Sequence, residues 1–148
     1  MTNQERHDDD LLNVLKDDGV TDVAVGDFEN RSTVGLDELI DHFDADSWAA
    51  RVFYNERFGG VLIRQMPGEG NRLHYHPDAD ECWVILEGEW EWFIEGQGAR
   101  VVGEKDIIVV QQGIRHQIKC IGDKPGIRLA ITAPDVNHVY AEGETETA

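Results

Sequence analysis

Four residues of this 148-residue chain have the types and spacing of a metal-binding set. His74 and His76 lie two apart, so on a β-strand both imidazoles face one side. Glu81 comes five residues after His76, across a tight turn spanning Pro77 to Asp80, at the head of the next strand-like run. A hairpin of that size can return it to the two imidazoles. His116 follows a turn at Gly113 and opens a later strand-like run. Three neutral imidazoles and one carboxylate suit one divalent transition metal: Fe, Mn, Ni, Co, Cu or Zn. Four ligands on one side of an octahedral ion would leave two positions for substrate, water or dioxygen. A lone strand histidine is ordinarily a hydrogen-bonded, half-buried residue. A His-x-His pair leaves that alternative standing, and the addition of Glu81 and His116 weighs against it.

The elements that must position these residues follow from the pattern. From residue 50, short β-rich runs alternate with turn signals: RVFY, VLIRQM, RLHYH, ECWVILE, EWEWFIE, RVV, DIIVV, HQIKCI and IRLAIT. This spacing predicts about eight strands and an all-β sandwich or barrel. Residues 89–95 alternate cleanly, with Trp90, Trp92 and Ile94 on one face and Glu89, Glu91, Phe93 and Glu95 on the other. Before the barrel, residues 1–9 read as polar and loose. Asp10 can cap a short helix that places Leu11, Leu12 and Leu15 on one face and stops at Gly19. Leu36, Leu39, Ile40 and Phe43 recur at helical spacing and predict a second helix that packs on the barrel. The expected organisation is an acidic N-terminal extension at 1–49, a barrel at 50–135 and an acidic C-terminal tail at 136–148.

The segment 68–88 resembles the cupin superfamily. Its first motif is Gly, five residues, His-x-His, three or four residues, Glu, six residues, Gly. Gly68, His74, His76, Glu81 and Gly88 match every position. The second motif is kept in part: Asp106, Gly113 and His116 match, Lys105 stands where Gly is usual, and Gln111 stands where Pro is usual. The resemblance covers roughly residues 50–135. It implies a double-stranded β-helix, or jelly roll, with a metal in the barrel mouth. It implies His74, His76, Glu81 and His116 as the ligands. It does not fix a reaction, since the superfamily holds dioxygenases, decarboxylases, isomerases, epimerases, lyases, sugar-binding modules and storage proteins.

Strand parity turns Trp83 and Ile85 inward with Glu81, and Trp90, Trp92 and Ile94 inward on the next strand. Trp83 and Trp92 are then candidate pocket walls, or core filling. Buried indole N–H groups need partners, for which Gln65, Gln111 or a substrate oxygen could serve. Arg64, mid-strand, is a candidate clamp for a substrate carboxylate if it faces inward, and an ordinary solvent-facing residue if it does not. Arg128 invites the same argument. Cys82 and Cys120 read as small buried hydrophobes. The face carrying Cys82, Val84 and Leu86 would suit a homodimer contact.

Composition bounds the partners. There are 30 acids against 13 bases, net −17. A field of that sign repels phosphate and anionic membranes, so neither nucleic acid nor a membrane is an expected partner. No apolar run approaches the roughly 20 residues of a membrane helix. The N-terminus lacks the basic and apolar regions of a secretory signal, and two cysteines make no disulfide framework, so a reducing cytoplasm is expected. Residues 1–50 carry 14 acids and 3 bases, whereas 51–140 carry 13 and 10. Only 4 of the bases are Lys, which fits a halophilic, high-salt setting better than a mesophile with acidic tails. The functional expectation is a metal-dependent enzyme on a small organic substrate, a dioxygenase or an isomerase or lyase. A non-catalytic small-molecule-binding or sensing module is the alternative.

Overall fold

The computed structural model describes residues 3–7 and 11–141. In chain order the elements are β1 (Asn3–His7), α1 (Leu11–Leu15), a 3-10 turn (Lys16–Asp18), β2 (Asp22–Ala24), α2 (Leu36–His42), β3 (Trp48–Tyr54), β4 (Gly59–Gln65), β5 (Gly70–Tyr75), β6 (Glu81–Glu87), β7 (Glu89–Ile94), β8 (Gly98–Val102), β9 (Ile107–Val110), β10 (His116–Ile121), β11 (Gly126–Thr132) and β12 (Asn137–Ala141). They form two six-stranded sheets, ordered β1-β12-β5-β10-β7-β8 and β2-β3-β4-β11-β6-β9. This is the expected double-stranded β-helix. Among the described residues no helix is long and apolar enough to cross a membrane.

Alternation explains the core. Trp90, Trp92 and Ile94 of β7 are buried while Glu89 and Glu91 are exposed. Facing them from the other sheet are Trp83 and Ile85 of β6, with Ile118 and Cys120 of β10 closing the same interior cluster. Strand β3 is buried on both sides. Its outer face, with Trp48, Ala50 and Val52, lies in a second cluster with Leu39, Phe43, Leu62 and Ile127. Helix α2 is too short to persist alone. Leu39 is fully buried and Phe43 stacks on Trp48 at 4.6 Å, and each such burial contributes about 1.5–3 kcal/mol. Asp37 and Glu38 in its first turn and His42 in its last complement the helix dipole.

Helix α1 has a different destination. Leu11, Val14 and Leu15 join the interior cluster itself. The helical segment ends where Gly19 takes φ +98°, as the sequence predicts. The expected cap, Asp10, lies outside the described residues, as does the side chain of Leu12.

Two expectations are corrected. Residues 136–148 do not begin as a tail, because Asn137–Ala141 is β12, inserted between β1 and β5. Residues 3–7 are not loose, because they pair with β12 as β1. Strand β1 reads NQERH, with no alternation of apolar residues to announce it. Backbone pairing with an existing sheet edge overrides its weak intrinsic preference.

Candidate metal centre

His74 lies near the end of β5, and His116 at the start of β10 is its direct register partner. His76 follows β5, and Glu81 opens β6. The loops that carry them are braced against each other. The Gly113 N–H donates to the His76 carbonyl at 2.8 Å, and the Gln112 N–H donates to the Asp80 carboxylate at 2.7 Å. Gly113 takes φ +82°, and Gly68 and Gly88 of the first motif also lie in the left-handed region. Lys105 adopts φ +76° at the position where the family has Gly, so the turn is kept at a cost in strain. Gly70 lets β5 approach β10, since a Cβ there would sit 1.8 Å from the Ile118 carbonyl oxygen.

All four side chains are buried, and one ligand atom from each lies within 4.8 Å of every other. The histidine tautomers follow from their surroundings. Nδ1 of His74 donates to the Arg72 carbonyl (2.6 Å), Nδ1 of His76 to the Asn137 carbonyl (2.8 Å) and Nδ1 of His116 to the Ile114 carbonyl (3.1 Å). Carbonyl oxygens only accept, so each Nδ1 carries a proton, and the Nε2 of each ring, when neutral, presents a lone pair. Carbonyl contacts of this kind orient metal-ligating imidazoles. Nε2 of His116 is buried with no hydrogen-bond partner among the described residues. Nε2 of His76 and of His116 approach Glu81 Oε1 at 2.7 and 3.7 Å. Bonds of about 2.0–2.2 Å to one ion bring neighbouring donors to such separations. The donor set and the orphaned nitrogen therefore fit a divalent transition metal.

The electrostatics agree. Burial, reinforced by His116, His76 and His138, holds His74 well below the usual histidine range, so it stays neutral. Burial alone would raise the carboxyl of Glu81, but positive charge and hydrogen bonds from His76 and His116, a role that a bound cation would take over, outweigh it and hold it low.

Of these residues His74 and Glu81 open on a cavity of about 40 Å³. His74, Glu81 and Trp83 form one side, and Leu11, Val14, Leu15, Val61 and Ile63 form an apolar wall. The space holds an ion and a few water-sized groups. Arg51, Tyr54, Asn71, Thr132 and His138 supply the rest of the polar lining. His138 stacks on His74 (5.4 Å) and meets His76 edge-on (4.5 Å).

Of the pocket candidates, Trp83 lines the cavity and touches His116 edge-on at 5.3 Å. Trp92 does not: it is fully buried behind Trp83, 5.1 Å away, as core. Arg64 is also corrected. It shares the outer parity of Leu62 and donates to the Asp46 carbonyl at 3.0 Å, away from the interior that Val61 and Ile63 face. Arg128 is the inward arginine of the two. It is fully buried, bonded to Gln65 and to Asn71 (2.7 Å), and lies over the Trp90 ring at 4.7 Å. Burial pushes its pKa down to about 10. Gln65 therefore serves Arg128, and the Trp90 N–H goes to the Glu87 carbonyl at 3.2 Å. The two cysteines are free thiols.

Sequence reasoning missed His138 and Arg51. His138 belongs to β12, which was expected to be tail. The alternating run NHVYA was its available signal.

Comparison with known proteins points the same way. Residues 61–132 match the cupin domain family. The chain is 29% identical over 85 residues to the tetracenomycin polyketide synthase protein TcmJ of Streptomyces glaucescens, covering 54% of this chain and 56% of that one. It thus spans about half the length of that curated relative. A conserved protein of Klebsiella pneumoniae with a double-stranded β-helix domain superposes with a TM-score of 0.61 at 21% identity, over 71% of this chain and 86% of that one. A sugar phosphate isomerase from Silicibacter pomeroyi gives 0.51 at 26%, over 58% and 57%.

Proposed function

The chain is a member of the cupin superfamily through its domain at residues 61–132, and from that premise we propose that it is a divalent-metal-dependent enzyme acting on a small organic molecule. One observation carries this reading: three Nε2 lone pairs and one carboxylate oxygen converge beside a cavity with an apolar wall. Such an ion supplies Lewis-acid or redox chemistry when bound. The residues of the chain do the rest. His74, His76, Glu81 and His116 would hold the ion. Leu11, Val14, Leu15 and Val61 exclude bulk water. Trp83 and His138 offer an aromatic face and a hydrogen-bonding imidazole to whatever enters.

Elemental analysis of the purified protein is the first test. Stoichiometric iron supports a dioxygenase, checked by oxygen uptake with small carbonyl and phenolic compounds. Zinc, nickel or manganese supports an isomerase or lyase, checked by NMR of the same compounds without oxygen. A metal-loaded protein that binds such a compound and never turns it over is the binding module instead.

Pairing as a homodimer is a second proposal. Ile107 and Val109 of the edge strand β9 are 69% and 59% exposed, beside Cys82 and Val84 of β6. Leu86, expected in this face, packs against the α2 cluster instead. Sedimentation equilibrium reads the mass directly, and a monomer at high protein concentration removes the proposal.

A further inference from the structure

The cavity contains one arginine that alternation from Ala49 turns inward, and a tyrosine that alternation alone would not aim there. Tyr54, Gly59, Thr132 and Glu81 are register partners in a row across β3, β4, β11 and β6. Arg51, Val61, Ala130 and Trp83 form the next such row. Partners in a row share a face, so Arg51 and Tyr54 both face inward although they lie three residues apart. The register shift between Arg51 and Phe53 makes this possible. Val52 is the extra residue of a β-bulge, and the Phe53 ring turns outward over Gly60. A bulge is a device for re-aiming a side chain.

Arg51 is 8% exposed, and among the described residues that line the cavity it is the sole Lys or Arg. Its guanidinium lies 3.8 Å from the centre of the Tyr54 ring, and its Nε donates to Glu29 Oε2 at 3.1 Å. A second buried cation, Arg128, is held by the neutral groups of Gln65 and Asn71. Among the described residues that line the cavity Glu81 is the one carboxylate, so a divalent ion on His74, His76, Glu81 and His116 would leave that lining net positive. A small anion is the complementary guest.

We infer that Arg51 is the specificity-determining residue of this cavity, binding the carboxylate of a small organic acid whose apolar body lies against Leu11, Val14, Leu15 and Val61. This inference rests on the proposed metal site and names its substrate class. Tyr54 keeps the guanidinium plane in place by stacking, and Glu29 competes with the incoming carboxylate. Arginine suits this task because its planar fork matches a carboxylate.

The test is calorimetric titration of butanoate and its neutral analogue butanamide into the full-length protein, with and without loaded Co²⁺, whose content per chain is measured separately. Wild type is expected to bind butanoate at least about tenfold more tightly than butanamide, the scale of a charge-assisted hydrogen bond. Arg51→Gln is expected to abolish that preference, and Arg51→Lys to keep part of it. Glu29→Gln, which spares the arginine, is expected to tighten butanoate binding several-fold. Absence of butanoate binding or of the preference in wild type overturns the inference, as does a preference that survives in a folded Arg51→Gln. So does a Glu29→Gln that binds butanoate no better than wild type. Failure to take up Co²⁺ overturns the metal reading alone. The Arg51-dependent preference is then still expected in the metal-free titration, because the guanidinium supplies it.

Discussion

His74 and His116 face each other as direct partners across β5 and β10, with ring centroids 4.3 Å apart. Two imidazoles at that distance repel if both are charged, whereas neutral rings so placed could share a cation. The strands that carry them also pair elsewhere, β5 with β12 and β10 with β7, so the spacing is set by the sheet.

Removing a ligand should empty the site. Loss of a group that merely orients a ligand costs about 10–100-fold in affinity. His76→Ala and His116→Ala should each cost more than about 100-fold. Metal content after dialysis measures this, and full retention by both variants would falsify the ligand assignment.

Gly70→Ala should damage fold and site together. The new methyl would meet backbone, which has no rotamer to give, so β5 and β10 must part. Overpacking ordinarily costs about 1–3 kcal/mol, and this position should reach the top of that range or exceed it. Urea unfolding reads the stability. Weaker Co²⁺ uptake at temperatures where the variant is folded reads the separation of His74 from His116.

Lys105→Gly should stabilise. A non-glycine residue in the left-handed region costs about 1–2 kcal/mol, part of which glycine returns as chain entropy. A net gain of about 1 kcal/mol raises Tm by roughly 2–4 °C in a protein of this size. Calorimetry would show it, and a lower Tm would mean that the Lys side chain contributes something of its own.

Asp18 gives a pH signature. It is buried, accepting from Asn71 Nδ2 at 2.9 Å and Arg72 Nε at 3.0 Å. Burial pushes its carboxyl above the ordinary 3.8 despite these partners. Between 3.8 and the raised value the folded state binds the proton that the unfolded state has released. Its contribution to stability therefore falls as pH rises through that window. Asp18→Asn lacks this term. The urea midpoint of the variant relative to wild type should drift upward between pH 4 and pH 7, and a downward drift would contradict the sign.

The acidic surface should respond to salt. With 30 acids and 13 bases, mutual repulsion is strong in dilute buffer and screened in molar KCl. Tm is expected to rise steadily from low salt to about 2 M KCl, where the Debye length is under about 3 Å. A flat profile would leave the low lysine count without a high-salt explanation.

The cluster of four was legible because its spacing is local. His-x-His needs strand parity, Glu81 needs a short turn, and the motif glycines mark turns that take positive φ. The inward Trp83, Ile85, Trp90 and Trp92 followed from the same parity. What escaped depends on longer relationships. Arg64 faces out with Leu62 and Arg51 faces in with Ala49, and a period of two does not say which face of each strand is the inner one. Tyr54 joins Arg51 on the inner face only through the bulge between them. Trp92 lies behind Trp83 rather than beside it, a matter of depth that parity does not encode. Strand β1 exists because β12 offers an edge, and the NQERH run says nothing of its partner.

The Asn137 carbonyl that receives the His76 Nδ1 proton belongs to β12, 61 residues further along the chain. A nascent chain leaves the ribosome N-terminal end first. His74, His76, Glu81 and His116 are all synthesised before the group that fixes the His76 tautomer. The finished pocket therefore waits for residue 137, and a metal captured earlier meets a His76 whose tautomer is not yet fixed. A stalled or clipped chain ending before residue 137 would carry every ligand and still lack the carbonyl that aims one of them.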